Sequence, residues 1–336
     1  MRSLHMRNSF TALTIVALVL TISLIFGHSN GLSINSMNSS VAAAAVQSTG
    51  VTLPRANIYV LNSDNTIFVL TPGMASFARP FRVSQVSGIL FGIDFRPADA
   101  SGTILYGLTD TGNLYTINLA PPNFGVATLV STLTTPFAGG FQSLMDFNPV
   151  VNALRLIGSN DQNFALVNSN GNLNVTAVQT AMTYAPGDVN AGVDPNLCGG
   201  AYTNNIANAP NTLFYGIDYA LDSFVTIATV NATGSSNTGG GQLKTIGRLV
   251  SANGTPINLS PTADMDIYTD ANGVNTLVGV NGRMLFTLDL TQINPSQTLG
   301  TTQNVIVRPI LMDELRNSID IAISPVGAPS GPNPRG

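Results

Sequence analysis

The stretch Gly92-Ile93-Asp94-Phe95-Arg96-Pro97 constrains the fold more than any other, because weaker copies of it return along the chain. They are Leu144-Met145-Asp146-Phe147-Asn148-Pro149, Asp264-Met265-Asp266-Ile267 and Ser318-Ile319-Asp320-Ile321, with Gly200-Ala201-Tyr202-Thr203 filling the gap between the second and third of the four. Each is a short apolar segment, and all but the last lead into β-hairpins. Repetition of this kind points to a radial repeat architecture.

The clearest unit starts at Ile93-Asp94-Phe95 and continues through Ile104 to Leu108, Asn113 to Leu119 and Val126 to Val130. That is four strands, rich in β-branched and aromatic residues and separated by Gly, Asn, Asp and Pro. Similar units begin at Asp146, Gly200 and Asp266, and Asn170-Gly171 and Asn281-Gly282 are hairpin-turn pairs. The N-terminal part supplies three strands, Asn57 to Leu61, Thr66 to Leu70 and Phe81 to Val86, without an Asp-bearing one. Ile319 to Ile323 supplies the missing strand from the other end. The expected fold is an all-β, five-bladed β-propeller, closed by pairing of the N- and C-terminal strands, after an N-terminal signal peptide.

The ends of the chain read differently. Arg2 and Arg7 precede an apolar run from Phe10 to Phe26 and a small-residue stretch, the three parts of an export signal. Residues 1–31 are therefore expected to be a signal peptide or an uncleaved anchor, and 32–54 a flexible, nearly uncharged arm. Residues 55–325 form the propeller domain, and 326–336, rich in Pro and Gly, a disordered tail. Export implies a secreted or cell-surface location, extracellular or periplasmic, with membrane contact only through an uncleaved N-terminal segment.

Absences narrow the chemistry. Both histidines, His5 and His28, lie in or beside the leader, and the chain has no Trp, one Cys (Cys198), one Glu (Glu314) and one Lys (Lys244). A Ser-His-Asp or Cys-His site and a His-ligated zinc site are excluded from the domain. A net charge of −4 without a basic run argues against a nucleic-acid partner. Cys198, beside Gly199 at the start of an inner strand, reads as a small buried hydrophobe.

Alternating strand direction puts the second-to-third hairpins and the connections between units on one rim. That rim carries Asn160 to Gln162, Asp218 to Asp222 and the long connections Thr134 to Ser143, Gln179 to Cys198 and Ser251 to Ala263. Long loops on one side of a rigid scaffold are the default place for function.

A family resemblance rests on Tyr184-Ala185-Pro186-Gly187-Asp188-Val189-Asn190-Ala191-Gly192-Val193-Asp194-Pro195, followed by Ala201-Tyr202-Thr203-Asn204-Asn205. With the Gly-Ile-Asp-Phe-Arg-Pro motif, Leu154-Arg155-Leu156, Gln162-Asn163 and Leu213 to Asp218, it extends over roughly residues 57–323. The chain resembles the exported bacterial family filed as domain of unknown function 4394. The resemblance implies an exported, propeller-like domain and no activity. An Arg often follows the Gln-Asn pair in that family; Phe164-Ala165-Leu166 stands here instead.

Two groups of candidate binding residues emerge. Asp94, Asp146, Asp266 and Asp320 approach the central channel, where four carboxylates could hold a cation such as Ca2+ through oxygen ligands. Each could equally hydrogen-bond backbone N–H groups of its own or the adjacent blade. Tyr184, Asp188, Asn190 and Asp194 crowd one rim loop, where Asp and Asn also serve to stabilise turns. No catalytic residue is assigned and no cofactor is required. The expected function is a non-enzymatic binding or assembly module whose partner is a glycan, a cell-wall component or another copy of the chain. The alternatives are a self-assembling structural protein using the arm and an Asp-dependent glycoside hydrolase.

Overall fold

The computed structural model describes residues 53–327 apart from 75, 78, 79, 100, 170 and 171. The expected signal, nearly all of the arm, most of the tail and the Asn170-Gly171 turn lie outside the described residues. Among those described there is no α-helix, and none is long and apolar enough to cross a membrane.

The strands form four-stranded antiparallel meanders in a propeller-like arrangement. In the first sheet β1 (Ala56–Asn62), β2 (Thr66–Leu70) and β3 (Phe81–Arg82) follow one another, and β21 (Ser318–Gly327) lies on the free side of β1. The second sheet runs β4 (Leu90–Asp94), β5 (Ile104–Thr109), β6 (Asn113–Asn118), β7 (Ala127–Thr132), and the third β8 (Ser143–Asn148), β9 (Ala153–Gly158), β10 (Asn163–Ser169), β11 (Asn172–Val178). A nine-stranded sheet holds two more meanders. One is β13 (Leu197–Tyr202), β14 (Phe214–Asp218), β15 (Ser223–Ile227), β16 (Gln242–Val250); the other is β17 (Asp264–Thr269), β18 (Asn275–Asn281), β19 (Met284–Leu288), β20 (Gln303–Leu311). The ninth strand, β12 (Thr183–Tyr184), pairs with β16.

Chain closure is direct. β1 and β21 are antiparallel, with Leu61 opposite Asp320 and Ala56 opposite Gly327, so the two ends of the domain leave side by side. The inner strands β21, β4, β8, β13 and β17 neighbour one another in that cyclic order. β13 and β17 are buried along their whole length, so the two aspartates of β17 are buried with its apolar residues. Glycine permits close approaches between inner strands: a Cβ on Gly92 would lie 2.7 Å from Met145 Cβ, and one on Gly199 2.7 Å from Asp264 Cα.

Each interface between meanders has its own apolar core. Phe147 of β8 meets Tyr106 of β5 edge to face at 5.1 Å, among Leu108, Leu114, Leu154 and Leu156. Burying such an aromatic side chain contributes about 1.5–3 kcal/mol. The corresponding core between β13–β16 and β17–β20 centres on Phe224, Phe286, Ile246 and Leu249.

Seams between outer strands explain the large sheet. Beyond its partner β15, β16 is covered by β12 at Gln242–Leu243 and by parallel β20 from Gly247 to Val250. In between, the Asp188 carboxylate accepts from Thr245 N and Gln297 Nε2 donates to the carbonyls of Thr245 and Ile246. The edge is thereby sealed against pairing with another chain. A related seam shortens β3. The sequence pattern runs that strand to Val86, but after Arg82 the chain turns to the second sheet, where Ser84 bridges Val126.

Candidate functional site

The repeated aspartates converge at the axis, and what they hold is backbone. Asp94 accepts from Phe95 N and, across the interface, from Phe147 N, both at 2.6 Å. Asp320 accepts from Ile321 N at 2.5 Å and from Ile93 N at 2.6 Å, and Asp266 from Ile267 N at 2.5 Å and Ile323 N at 2.6 Å. Asp146 accepts from Tyr202 N at 3.2 Å. Each of these carboxylates therefore ties its inner strand to the next one round the ring. The fourth meander, with Gly199-Gly200 where the others carry Asp, is tied from the opposite side by Gly200 N to Asp264 Oδ1 at 3.3 Å. Asp264 is the member that the repeat pattern hides, because it stands two residues before the matching Asp266.

These carboxyls are all buried. Burial, with the neighbouring Asp266 charge, raises Asp94 well above the usual carboxylate range; burial and Asp94 do the same for Asp146, and burial and Asp264 for Asp320. Burial pushes Asp264 up to about 7 and Asp266 to about 6, although their backbone hydrogen bonds pull the other way. Asp94, Asp146 and Asp266 each offer an oxygen within 4.8 Å of the others. A group of this kind could hold protons or a hard cation with oxygen ligands. Arg96, next to the first Asp in sequence, turns away and donates from Nε to Asn152 Oδ1 at 2.8 Å.

The rim loop divides its candidates. Tyr184 is buried and donates from its hydroxyl to Asp218 Oδ2 at 2.8 Å, and burial pushes its phenol up. Asp188, also buried, accepts from Thr245 N at 2.8 Å, Thr245 Oγ1 at 2.7 Å and Asn190 N at 2.9 Å. Asn190 Nδ2 reaches the same Thr245 hydroxyl at 2.9 Å. These three side chains thus fix the loop to β14 and β16. Asp194 is exposed and lies beside Asp161, which the sequence reading passed over within its Asn160 to Gln162 turn. Asp161 has left-handed backbone (φ 65°), and burial together with Asp194 pushes it up to about 7. Its only sequence signal was the Asn-Asp pair at a turn.

The connections and hairpins meet as a rim should. Ile89 N donates to Asp110 Oδ1, Phe141 N to Ser159 Oγ, Asn196 N to Asp218 Oδ2 and Ser260 N to Asn281 Oδ1. Apolar side chains stand exposed on these connections, Ile89, Phe141, Val189 and Val193 among them, with Phe141 76% exposed. Gln142 reaches across to the carbonyl of Ile319 at 3.5 Å.

Two family positions gain a physical role. Arg155 is buried and donates to Asn163 Oδ1 at 2.7 Å, Gln179 Oε1 at 2.9 Å and the Tyr202 hydroxyl at 3.3 Å, linking the third and fourth meanders without a carboxylate. Phe164, which follows Gln162-Asn163, is buried against Phe137. Cys198 is a free, fully buried thiol whose pKa burial raises, the reverse of an activated nucleophile.

Comparison with solved structures finds a structural-genomics protein of unknown function from Bacteroides thetaiotaomicron, at 13% identity and TM-score 0.41, covering 82% of this chain and 65% of that one. The chain thus spans slightly under two thirds of that protein. The β-propeller domain of Myceliophteria thermophila Cps50 (Swd1) matches at 11% identity and TM-score 0.36, covering 76% and 72% respectively. The structure of U3-55K matches at 10% identity and TM-score 0.34, covering 80% and 64%. No curated protein matches the chain. The sequence profile described as domain of unknown function DUF4394 matches residues 66–306, and the chain belongs to that family.

Proposed function

We propose that this protein is an exported, non-enzymatic five-bladed β-propeller that serves as a binding or assembly module at the cell surface, outside the membrane or in the periplasm. The five meanders that succeed one another round the axis are its blades, and β21 with β1 to β3 is the blade built from both ends. The observation that carries the reading is the use made of the acidic residues. The axial aspartates are engaged as acceptors between inner strands, and Tyr184, Asp188 and Asn190 secure a loop, so the conspicuous polar groups serve the scaffold. The exposed side chains of the rim and outer strands remain as recognition surface. Glycans or cell-wall fragments are the partners this composition suits, and Ca2+ is the ion the axial carboxylates would take. Screening the exported protein against glycans and cell-wall fragments, with metal analysis alongside, tests the reading. Selective retention of one class supports it, and turnover of a glycoside by the protein overturns it.

A second reading, self-assembly, draws on one geometric fact: the domain's ends leave side by side at Ala56 and Gly327. The arm Ile34 to Leu53, which carries no charged residue, precedes that point in the sequence, and we read it as a segment that could add a strand to a neighbouring subunit. Deleting residues 32–53 should lower the mass in solution, and an unchanged monomer before and after deletion removes the idea.

A further inference from the structure

We infer that the groove at the divergence of β16 and β20 is a binding site for a carboxylate-bearing saccharide, with Arg308 as its anion anchor. This rests on the reading of the protein as a glycan-binding module and assigns that module a site. The two strands pair in parallel up to Val250 and Ile306 and then part. β16 ends in a tight turn over Ser251 to Thr255, whereas β20 continues along β19. Between them lies a groove of about 680 Å3 lined by Ser251, Ala252, Asn253, Thr255, Val307, Arg308 and Pro309. That volume is within the range of small-molecule sites, roughly 300–1,000 Å3.

Its chemistry is one-sided. Arg308 is half-buried, whereas the other arginines without a hydrogen-bond or ion-pair partner among the described residues, Arg55, Arg82, Arg248 and Arg316, are exposed. It lines this groove and two neighbouring ones that Asp289 shares, without an ion pair to that carboxylate. Asn253 spends its oxygen on Ser251 Oγ and Thr255 N, which leaves its amide N–H groups free to donate. No carboxylate lines the groove. A single unpaired guanidinium matches a carboxylate in charge and in forked geometry, whereas a phosphate monoester, close to −2, would need a second cation. The amide and the Thr255 hydroxyl suit a ligand rich in hydroxyl oxygens, and Ala252, Val307 and Pro309 offer an apolar wall for a ring face. Pro309 has no N–H, so this edge is poorly fitted to accept a strand from another chain.

The test is calorimetric titration of the exported full chain with an oligogalacturonate, with the carboxyl-reduced neutral oligosaccharide, with an acidic peptide and with inorganic phosphate. The uronate should bind more weakly as salt rises, and the neutral sugar about tenfold or more weaker than it, since a charge-assisted pair is lost. Arg308→Gln should lose affinity by a similar factor with an unchanged melting temperature, because the side chain has no internal partner to orphan. Asn253→Ala provides a second, milder loss should the first variant fold poorly. Equal binding of neutral and acidic sugars, undiminished binding by Arg308→Gln, or equal binding of the peptide or phosphate overturns the assignment. If the intact protein binds none of these yet retains a neutral glycan elsewhere, this site is wrong while the proposed module stands.

Discussion

Replacing Asp94 with Ala tests most directly whether the axial carboxylates are fasteners. The side chain accepts from Phe95 N and Phe147 N, and its removal leaves the N–H groups of two buried residues without that acceptor. An orphaned buried donor costs about 1–3 kcal/mol, so two cost about 2–6 kcal/mol. Relief of the carboxyl's own burial and of its repulsion with Asp266 and Asp320 offsets part of this. Each kcal/mol of the net loss corresponds to a melting temperature lower by roughly 2–4 °C in a domain of this size. Asp146→Ala should cost about half as much, because Asp146 accepts one longer backbone bond. Thermal unfolding followed by circular dichroism or calorimetry, with and without Ca2+, provides the readout. A residue kept for chemistry or for a metal gives the opposite result: its removal leaves the metal-free protein as stable or more so. An unchanged or raised melting temperature for Asp94→Ala would refute the fastener, and a rise of the intact protein with Ca2+ concentration would show a resident cation.

The remaining predictions concern pH and packing. Asp264, Asp266 and Asp161 have folded pKa values near 7, 6 and 7, with Asp94, Asp146 and Asp320 also raised. A raised carboxylate pKa means that the folded state holds more protons than the unfolded one between about pH 4 and 7, so stability falls as pH rises through that window. The melting temperature should therefore be higher near pH 5 than near pH 8, and a flat or opposite profile contradicts the assigned burial. Gly92→Ala would force a Cβ to 2.7 Å from Met145 Cβ and 3.0 Å from Asp320 Oδ2. It should cost about 1–3 kcal/mol in denaturant unfolding, and a neutral result would mean the inner strands are looser than described. Lys244 donates to the carbonyls of Pro295 at 2.5 Å and Gln297 at 3.2 Å. Lys244→Met should speed amide exchange across residues 294–301 and leave the first three sheets unchanged; uniform acceleration would show instead that this contact supports the whole ring.

Much of the architecture was legible because it is local. Strands betray themselves by β-branched and aromatic runs between turn residues, and the repeated apolar segment around Asp94 marks the inner strands. Closure was legible too, since three strands lacking an inner partner at one end and a lone strand at the other have one economical solution, and β1 pairs with β21 accordingly. The early end of β3, the two-residue β12 and the parallel seam of β16 with β20 were not legible. They depend on which edges meet, and an outer-strand sequence does not record its neighbour in the next sheet.

The same division applies to the residues that matter. Sequence alone identified the family motif, the aspartates that repeat with the strands and the chemistry excluded by missing residue types. It also placed Tyr184, Asp188, Asn190 and Asp194 in one loop, but could not say which were engaged. Only the tertiary structure decided that Asp94 holds the strand of Phe147, that Asp264 substitutes for the Asp missing from β13, that Asp161 faces Asp194 and that Arg308 stands unpaired in a groove. The physical reason is range. Strand and turn preferences are set by a residue and its immediate neighbours, whereas a carboxylate's partner and its proton depend on burial and on charges brought from tens or hundreds of residues away.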